Sequence, residues 1–325
     1  MERLIQHDHG IYQVKTPVPF PLRYVNSYLL EDGSDGYVLI DPGLHNKETK
    51  EHWNQILAAM SISLHSIHKI IVTHHHPDHY GISGWFQQQT SAPVYMLEKA
   101  YESTMSFRKI DRARERLSSF YLEEGTPVDF TKELDKNFFS FDQLVSPHPE
   151  VTILNKQETL RIGERHYRLL ETAGHASGHL CLYEPNEKII FCADHVLQRI
   201  TPNISYVPNG DDRNPLQSFI QDLQRLAKLD VVKAFPGHRE PITNFSQRCE
   251  DIIQHHEERL HEMLESLNEP ATTYDLCLQT FGTRLTTHQF RFAIGEVAAH
   301  LVYLVLRGDV KVERKNQVRY YSKIQ

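Results

Sequence analysis

The sequence predicts a layered α/β domain followed by a small helical module that ends in two strands. Three observations support this prediction. Short apolar runs alternate with amphipathic stretches up to about residue 240, a charged helical stretch interrupts them at about 100–145, and an Asn268-Glu269-Pro270 linker precedes two helical stretches and an alternating hairpin pattern. No period typical of a solenoid repeat is present in the sequence.

Local patterns place the elements of the first domain in order. Residues 24–30 and 37–40 are apolar runs on either side of a turn rich in Gly and Asp, which indicates two strands. Residues 46–60 mix charged and apolar side chains at helical spacing, and residues 69–73 are a short apolar run expected to form a buried strand. Further predictions are helices at 82–89 and 215–229 and strands at 151–154, 167–172, 179–183, 188–192 and 231–235.

The residues from 100 to about 145 are expected to form an inserted helical arm, because charged side chains crowd its first half. The arm is either a solvated helix pair, or a lid or dimer contact. The sequence predicts a catalytic domain at 1–244 and, at 245–325, a long connecting helix with a small winged-helix-like domain. That domain is expected to contain helices at 274–281 and 287–306 and strands at 310–313 and 318–321.

Composition excludes several classes of protein. The formal net charge of −7 argues against a generally basic surface for nucleic acid. No stretch approaches the roughly 20 apolar residues of a membrane-spanning helix, and the first residues lack the apolar core of a secretory signal. The sequence has four cysteines, none of which forms a C-x-x-C pair: Cys181, Cys192, Cys249 and Cys277. We therefore expect neither a disulfide framework nor a zinc-thiolate site, and a cytoplasmic protein.

The residues most suited to chemistry lie in His74-His75-His76-Pro77-Asp78-His79, directly after a predicted strand. A turn just past a strand can direct several side chains into one volume. His74, His76 and His79 offer imidazole nitrogens and Asp78 offers an anionic oxygen, a mixture of ligands that suits zinc, iron or manganese. The alternative is a histidine-rich surface loop that chelates metal by accident.

Three more candidate ligands, His175, Asp194 and His238, each follow a predicted strand. Gly174 and Gly237 precede the two histidines and permit tight turns. Taken one at a time, each residue would be better explained as a structural histidine or a helix-capping aspartate. Their joint placement at strand ends favours a shared metal site over an accidental one.

These residues resemble the H-x-H-x-D-H signature, followed by His, Asp and His, of the metallo-β-lactamase-fold superfamily. The resemblance covers roughly residues 10–241 and implies a four-layer αβ/βα sandwich with the metal site at the edge of two packed sheets. It implies two divalent metal ions, with zinc expected and iron or manganese as alternatives. The first ion would be held by His74, His76 and His175, the second by Asp78, His79 and His238, and Asp194 would bridge both.

Differences from neighbouring groups of the superfamily narrow the implied chemistry. Asp194 stands where the commonest zinc β-lactamases carry cysteine, and His76 stands where flavodiiron proteins carry glutamate, so antibiotic hydrolysis and oxygen reduction are not expected. The presence of His238 favours two metals over the single iron of persulfide dioxygenases. Residues 172–179 resemble the T-P-G-H-T-x-G-H element of glyoxalase II-like thioesterases, with alanine at 173 instead of proline. The groups of the superfamily that the resemblance still implies are thioesterases, lactonases and RNA- or phosphodiester-cleaving enzymes.

The leading hypothesis is a hydrolase in which a hydroxide bridging two metal ions cleaves a small ester-type substrate: a thioester, lactone or ester. Asp78 is the expected catalytic residue, because it could orient the hydroxide and receive its proton. One alternative is a metal-dependent endoribonuclease or phosphodiesterase acting on single-stranded RNA. The other is a non-catalytic metal-binding regulatory protein, which would not need seven ligands.

Several residues near the motif have weaker predicted roles. Asp41 is expected to support the ligand histidines, or only to cap a turn. His179 is expected to order the loop after the first downstream ligand. His195 and Tyr206 are candidates for substrate contact, although structural roles are favoured for both. The histidines of the long helix are interpreted as a solvated face: His255, His256 and His261.

The C-terminal residues differ in charge from the rest of the chain. From residue 271 onward, eight basic and four acidic residues give +4, so the preceding residues carry −11. The arrangement of domains also resembles mitochondrial β-lactamase-like endoribonucleases, so nucleic acid is an alternative partner. We see no extended basic stretch with interleaved aromatic residues, so we expect instead a module that shapes the pocket for a small-molecule substrate. A homodimer is left open, and no membrane partner is expected.

Overall fold

The computed structural model describes residues 3–19, 22–33, 36–108, 110–139, 144–208 and 210–324. Within these ranges, two sheets have the strand orders β1-β2-β3-β4-β5-β6-β7 and β12-β11-β10-β9-β8, and β13 and β14 form a separate hairpin. The strands are β1 (Leu4–His7), β2 (Ile11–Pro17), β3 (Tyr24–Glu31), β4 (Tyr37–Ile40), β5 (Ile67–Ile71), β6 (Val94–Met96), β7 (Val151–Ile153), β8 (Thr159–Ile162), β9 (Arg165–Thr172), β10 (His179–Glu184), β11 (Ile189–Ala193), β12 (Lys233–Pro236), β13 (Val310–Lys315) and β14 (Val318–Lys323).

Helices cover the outer faces of the two large sheets and also form the inserted arm and part of the C-terminal module. They are α1 (Lys47–Ala59), α2 (Pro77–Tyr80), α3 (Ser83–Thr90), α4 (Glu98–Arg108), α5 (Ile110–Glu123), α6 (Val128–Phe139), α7 (Pro215–Leu226), α8 (Phe245–Ser266), α9 (Thr273–Phe281) and α10 (Thr287–Arg307). Every helix and strand predicted at a given range is present near it. The strands β1, β2, β6 and β8 are additional to the prediction.

Alternation of apolar side chains along the strands produces the four layers. On β3, Tyr28 and Leu30 face the five-stranded sheet, whereas Leu29 packs with Trp53 of α1. Tyr28 lies between the sheets, with its ring centroid 5.1 Å from that of Phe191 on β11. The five-stranded sheet uses the same alternation to pack its other face against α7 and α8. The predicted αβ/βα sandwich is therefore confirmed.

β2 was not predicted because two of its buried side chains are polar. Gln13 and Thr16 are both fully buried. Gln13 Nε2 donates to Asn26 Oδ1 at 2.8 Å, and Thr16 Oγ1 lies 2.9 Å from Ser27 Oγ on β3. These hydrogen bonds satisfy the buried polar groups. The strand can therefore be buried although its sequence lacks a continuous apolar run.

The strands that precede the candidate ligands end at one edge of the sandwich. β4 and β5 are parallel neighbours, and so are β11 and β12. The carboxyl ends of parallel strands meet at the same edge of a sheet, where α/β proteins place their functional loops. The motif at 74–79 follows β5, Asp194 follows β11, and His238 follows β12 by two residues.

The inserted arm consists of α4, α5 and α6, and residues 109 and 140–143 of it lie outside the described ranges. Phe120 and Tyr121 of α5 and Leu134 of α6 are buried in a core shared with α8, α9 and α10. The interpretation of the arm as a solvated helix pair is therefore wrong, since one of its faces packs against the C-terminal module. Because this core is continuous from α7 to β14, the division at residue 244 stays a prediction.

One histidine of α8 differs from its prediction. His256 is fully buried, and its Nδ1 lies 3.1 Å from Nε2 of His300 on α10. The interpretation of these histidines as a solvated face is wrong for His256, although His261 is exposed.

Among the described residues, α10 also has the length and composition of a membrane-crossing helix, contrary to our expectation, but 56% of its most apolar window is buried. Burial against α6, α7 and α9 explains its apolar character.

We expect Arg319→Ala to lower the free energy of unfolding by about 1–3 kcal/mol, because it removes a partner of a buried carboxylate. Glu124 is 1% exposed and accepts from Arg319 Nη1 at 2.8 Å, from Tyr321 Oη at 3.0 Å and from Thr273 Oγ1. Urea unfolding followed by circular dichroism measures the change. Lys315→Ala, an exposed cation of the same hairpin, should cost no more than about 0.5 kcal/mol. Equal losses of unfolding free energy in the two variants would contradict a stabilising role for the Arg319–Glu124 ion pair.

Candidate metal centre

The first group of candidate ligands contains three imidazoles. The facing nitrogens of His74, His76 and His175 all lie within 4.8 Å of one another. His74 Nε2 and His76 Nδ1 are 3.0 Å apart. The motif loop after β5 supplies the first two residues and the loop after β9 supplies the third. Their convergence is a consequence of the sheet edge and not of sequence proximity.

The second group contains Asp78, His79 and His238, again with ligand atoms within 4.8 Å of one another. Asp78 Oδ2 lies 3.3 Å from His238 Nε2 and 3.8 Å from His79 Nε2. Asp78 and His79 belong to α2, the single helical turn that Pro77 begins. Both groups thus combine residues that are distant in sequence.

The carboxylate of Asp194 lies between the two groups. Its Oδ2 is 3.4 Å from Nε2 of His79 and from Nε2 of His238, and 3.8 Å from Nε2 of His175. One oxygen atom therefore contacts both sets of imidazoles. The structure brings all seven predicted ligands into one cluster, with Asp194 at its centre.

Hydrogen bonds on the far side of the rings fix which nitrogen faces the cluster. His175 Nδ1 donates to the carbonyl of Asn203 at 2.9 Å, and His238 Nδ1 donates to the carbonyl of Tyr24 at 2.8 Å. A carbonyl only accepts, so Nδ1 carries a proton in each ring, and Nε2 is the nitrogen that can offer a lone pair to the centre once the ring is neutral. This arrangement is typical of metal-binding histidines.

Asp41 has the supporting position that the sequence analysis expected. Its Oδ2 lies 2.8 Å from His79 Nδ1, and its carboxylate also accepts from the backbone N–H and the hydroxyl of Thr73 at 2.8 and 2.7 Å. Asp41, His74 and His79 also fall within 4.8 Å of one another. We do not count Asp41 as a ligand, because three donors already occupy its oxygens and the Nε2 of His79 points elsewhere.

The donor atoms at the centre fit divalent cations. His79 Nε2, His175 Nε2 and Asp194 Oδ1 are buried and have no hydrogen-bond partner among the described residues, a costly state that a metal ion would relieve. Gly237 gives the space for this arrangement, because a Cβ there would lie 2.2 Å from Asp194 Oδ1. Neutral imidazoles with a few carboxylates are the ligands that zinc, iron and manganese accept.

The two groups differ in their affinity for protons. Burial lowers the pKa of His74 and His76 well below the ordinary value, and neighbouring imidazoles lower it further. Burial also lowers the pKa of His238, but Asp194 and Asp78 outweigh it and raise that pKa to about 10. For His79, Asp194 and Asp41 likewise overcome burial and hold the pKa well above its ordinary value.

The weaker candidates have structural contacts. His179 is buried, and its Nδ1 lies 3.0 Å from Thr172 Oγ1 at the end of β9, as expected of a residue that orders this loop. His195 is fully buried with its ring 4.8 Å from that of Phe219. Tyr206 packs against Phe120 of the arm, with ring centroids 5.9 Å apart. These contacts favour the structural roles over substrate contact.

Sequence reasoning missed residues that act through backbone atoms or at a distance. Asn26 on β3 donates from Nδ2 to the carbonyls of Pro236 and Arg239 at 2.9 and 2.8 Å and so holds the turn around His238. A polar residue inside an apolar strand was the available signal for Asn26. The carbonyl acceptors at Tyr24 and Asn203 have no side-chain signature, because every residue has a carbonyl.

The segment that carries the site also matches a known family. A profile of the Metallo-beta-lactamase superfamily matches residues 20–238, which contain all seven candidate ligands. The chain belongs to the metallo-beta-lactamase superfamily. A second profile, described as the metallo-beta-lactamase-like C-terminal domain, matches residues 260–324. The predicted family is confirmed, and so is the coarse prediction of a metallo-hydrolase of this superfamily.

Relatives of the superfamily cover both parts of the chain. It is 28% identical over 299 residues to the probable metallo-hydrolase YqjP of Bacillus subtilis, covering 90% of this chain and 91% of that protein. A metallo-beta-lactamase family protein from Thermus thermophilus has a solved structure with 31% identity and a TM-score of 0.83, covering 97% of this chain and 99% of that one. Atrochrysone carboxyl ACP thioesterase of Aspergillus fumigatus is 21% identical over 252 residues, covering 77% of this chain and 62% of that protein.

Metal binding by Asp78, His79 and His238 should strengthen as the pH rises, about tenfold per pH unit for each proton displaced. The raised pKa values of His79 and His238 mean that both rings hold protons at neutral pH in the metal-free protein, and binding must release these protons. His74 and His76 are already neutral there, so their group should respond little. Calorimetric titration with Zn²⁺ in buffers of different ionisation heat counts the protons. Equal proton release at both groups would contradict this asymmetry.

Proposed function

We propose that the chain hydrolyses a small ester-type substrate (a thioester, lactone or ester) with two divalent metal ions, zinc being the expected metal. The observation that carries the proposal is Asp194 Oδ2, which lies within 3.8 Å of imidazoles from both groups. One carboxylate in that position could serve two cations. His74, His76 and His175 would hold the first, and Asp78, His79 and His238 the second.

Two bound cations would lower the pKa of a water molecule toward neutrality and polarise an electrophilic carbonyl. The residues of the chain have separate tasks in this proposal. Asp78 would receive the proton that the attacking water loses, because its carboxylate lies in the cluster, 3.3 Å from His238 Nε2, and its 15% exposed side chain still contacts solvent. Asp194 is 9% exposed and stays ionised, since His238 and His79 outweigh burial and hold its pKa well below the ordinary value.

Two observations favour an ester-type substrate over RNA. One relative is named as a thioesterase and aligns with 77% of this chain. The cations of the C-terminal hairpin are also engaged in ion pairs: Arg314 and Arg319 with Glu123 at 2.6 and 2.7 Å, and Lys311 with Glu313 at 3.0 Å. Paired cations attract phosphates less, because the neighbouring carboxylates cancel their field. The complete ligand set argues against a regulatory protein without activity.

Asp78→Asn should reduce kcat/KM on the hydrolysed substrate by at least about 100-fold, because the amide accepts no proton. The assay compares S-lactoylglutathione, an acyl-homoserine lactone and a fluorogenic RNA, each with and without chelator. Glu313→Gln, a carboxylate of the exposed hairpin, is the matched control and should keep full activity. A metal content below one ion per chain, together with unchanged activity of Asp78→Asn, would refute the proposed two-metal hydrolysis with Asp78 as the proton acceptor.

A double substitution, Lys311→Ala with Lys315→Ala, separates the ester and RNA hypotheses. It should leave ester hydrolysis unchanged, because both side chains are exposed and form ion pairs with Glu313 of the same hairpin. If RNA were the substrate, kcat/KM on RNA would fall and its dependence on salt would weaken by roughly one charge per lost phosphate contact. That result, with RNA cleavage abolished by chelator, would replace the ester proposal.

A further inference from the structure

His175 depends on a neighbour that has no regular secondary structure. Its Nδ1 donates to the carbonyl of Asn203 at 2.9 Å. Residues 201–207 form neither helix nor strand, so no ladder of backbone hydrogen bonds fixes that carbonyl. Its position must come from contacts with other elements of the protein.

Helix α10 supplies those contacts through the side chain of Asn203. Asn203 Nδ2 donates to Glu296 Oε2 at 3.0 Å and to the carbonyl of Phe292 at 3.2 Å. Asn203 Oδ1 accepts from Ser205 Oγ at 2.6 Å. Both donor hydrogens and the acceptor of the amide are therefore used, and two of the three bonds reach α10.

The backbones of the loop and of α10 also lie unusually close together. The N–H of Tyr206 donates to the carbonyl of Gly295 at 3.0 Å. A Cβ at Gly295 would lie 2.7 Å from Ser205 Oγ, so glycine is what permits this approach. The loop is thus held against α10 at Asn203 and again at Tyr206.

We infer that α10 of the C-terminal module positions His175 for the first metal ion through Asn203, with Glu296 as the positioning residue. The inference rests on the proposed role of His175 as a metal ligand. Glu296 fixes the amide of Asn203, the amide fixes the carbonyl, and the carbonyl fixes the plane and the tautomer of the imidazole. The module therefore belongs to the metal site as well as to the fold.

Metal affinity tests this inference without an activity assay. Glu296→Ala should weaken one of two Zn²⁺ binding events by about 10–100-fold and leave the other unchanged, as loss of an outer partner of a ligand does. Glu296→Gln keeps an acceptor at the same place and should stay within about threefold of the natural protein. Competition titration with a chromophoric chelator measures both events. Glu313→Ala, also in the C-terminal module, is the matched control and should change neither.

A double-mutant cycle distinguishes positioning from general destabilisation. Asn203→Ala should weaken the same event, and adding Glu296→Ala to it should weaken it no further, because the two residues act in one chain of contacts. Additive losses at both binding events would overturn the inference. Circular dichroism of the metal-free variants checks folding, and Glu296→Asp, whose shorter side chain draws the carboxylate away from Asn203 Nδ2, replaces Glu296→Ala if that variant does not fold.

His175→Ala separates failure of this inference from failure of the proposed function. It should abolish one binding event. If His175→Ala still binds two ions with natural affinity, the proposed metal site is wrong. If it loses one ion while Glu296→Ala and Asn203→Ala bind both as the natural protein does, the metal site stands and the positioning role of α10 is wrong.

Discussion

The buried carboxylate of Asp194 is the constraint on which the rest of the site depends. Its Oδ2 lies 3.4–3.8 Å from three imidazoles, and its Oδ1 has no hydrogen-bond partner in the part of the chain that the structure describes. A buried anion is costly unless positive charge compensates it. Protonated His79 and His238 provide that charge in the metal-free protein. Metal ions would provide it in the proposed enzyme, so proton release and metal binding are coupled at this position.

The fold meets this constraint by holding three of the candidate ligands on the side away from the cluster. Strands β5, β9, β11 and β12 deliver the loops to one edge, and backbone carbonyls or Asp41 hold the outer nitrogens of His79, His175 and His238. Rigid support of this kind sets the tautomers before any ion binds, which lowers the reorganisation needed on binding. The carbonyl that holds His175 is itself held by α10, so the support extends beyond the sandwich.

The C-terminal module has a different place in the protein from the one that its charge suggests. Its net charge of +4 taken alone favours binding to nucleic acid. In the structure, Arg314 and Arg319 turn toward the arm and pair with Glu123, and Arg319 also reaches the buried Glu124. Charge that neutralises an internal partner contributes to stability and little to an external field. Arm, module and sandwich also share one core of buried apolar side chains.

The sequence by itself determined the family, the seven candidate ligands and most strands, because apolar runs end where the motif, His175, Asp194 and His238 begin. It missed β2, since Gln13 and Thr16 interrupt the apolar pattern although both are buried. Tertiary structure alone decided that the arm packs on the module, and that Asn203 connects α10 to a ligand. These features arise from contacts between distant segments and from backbone atoms, which no local pattern of side chains encodes.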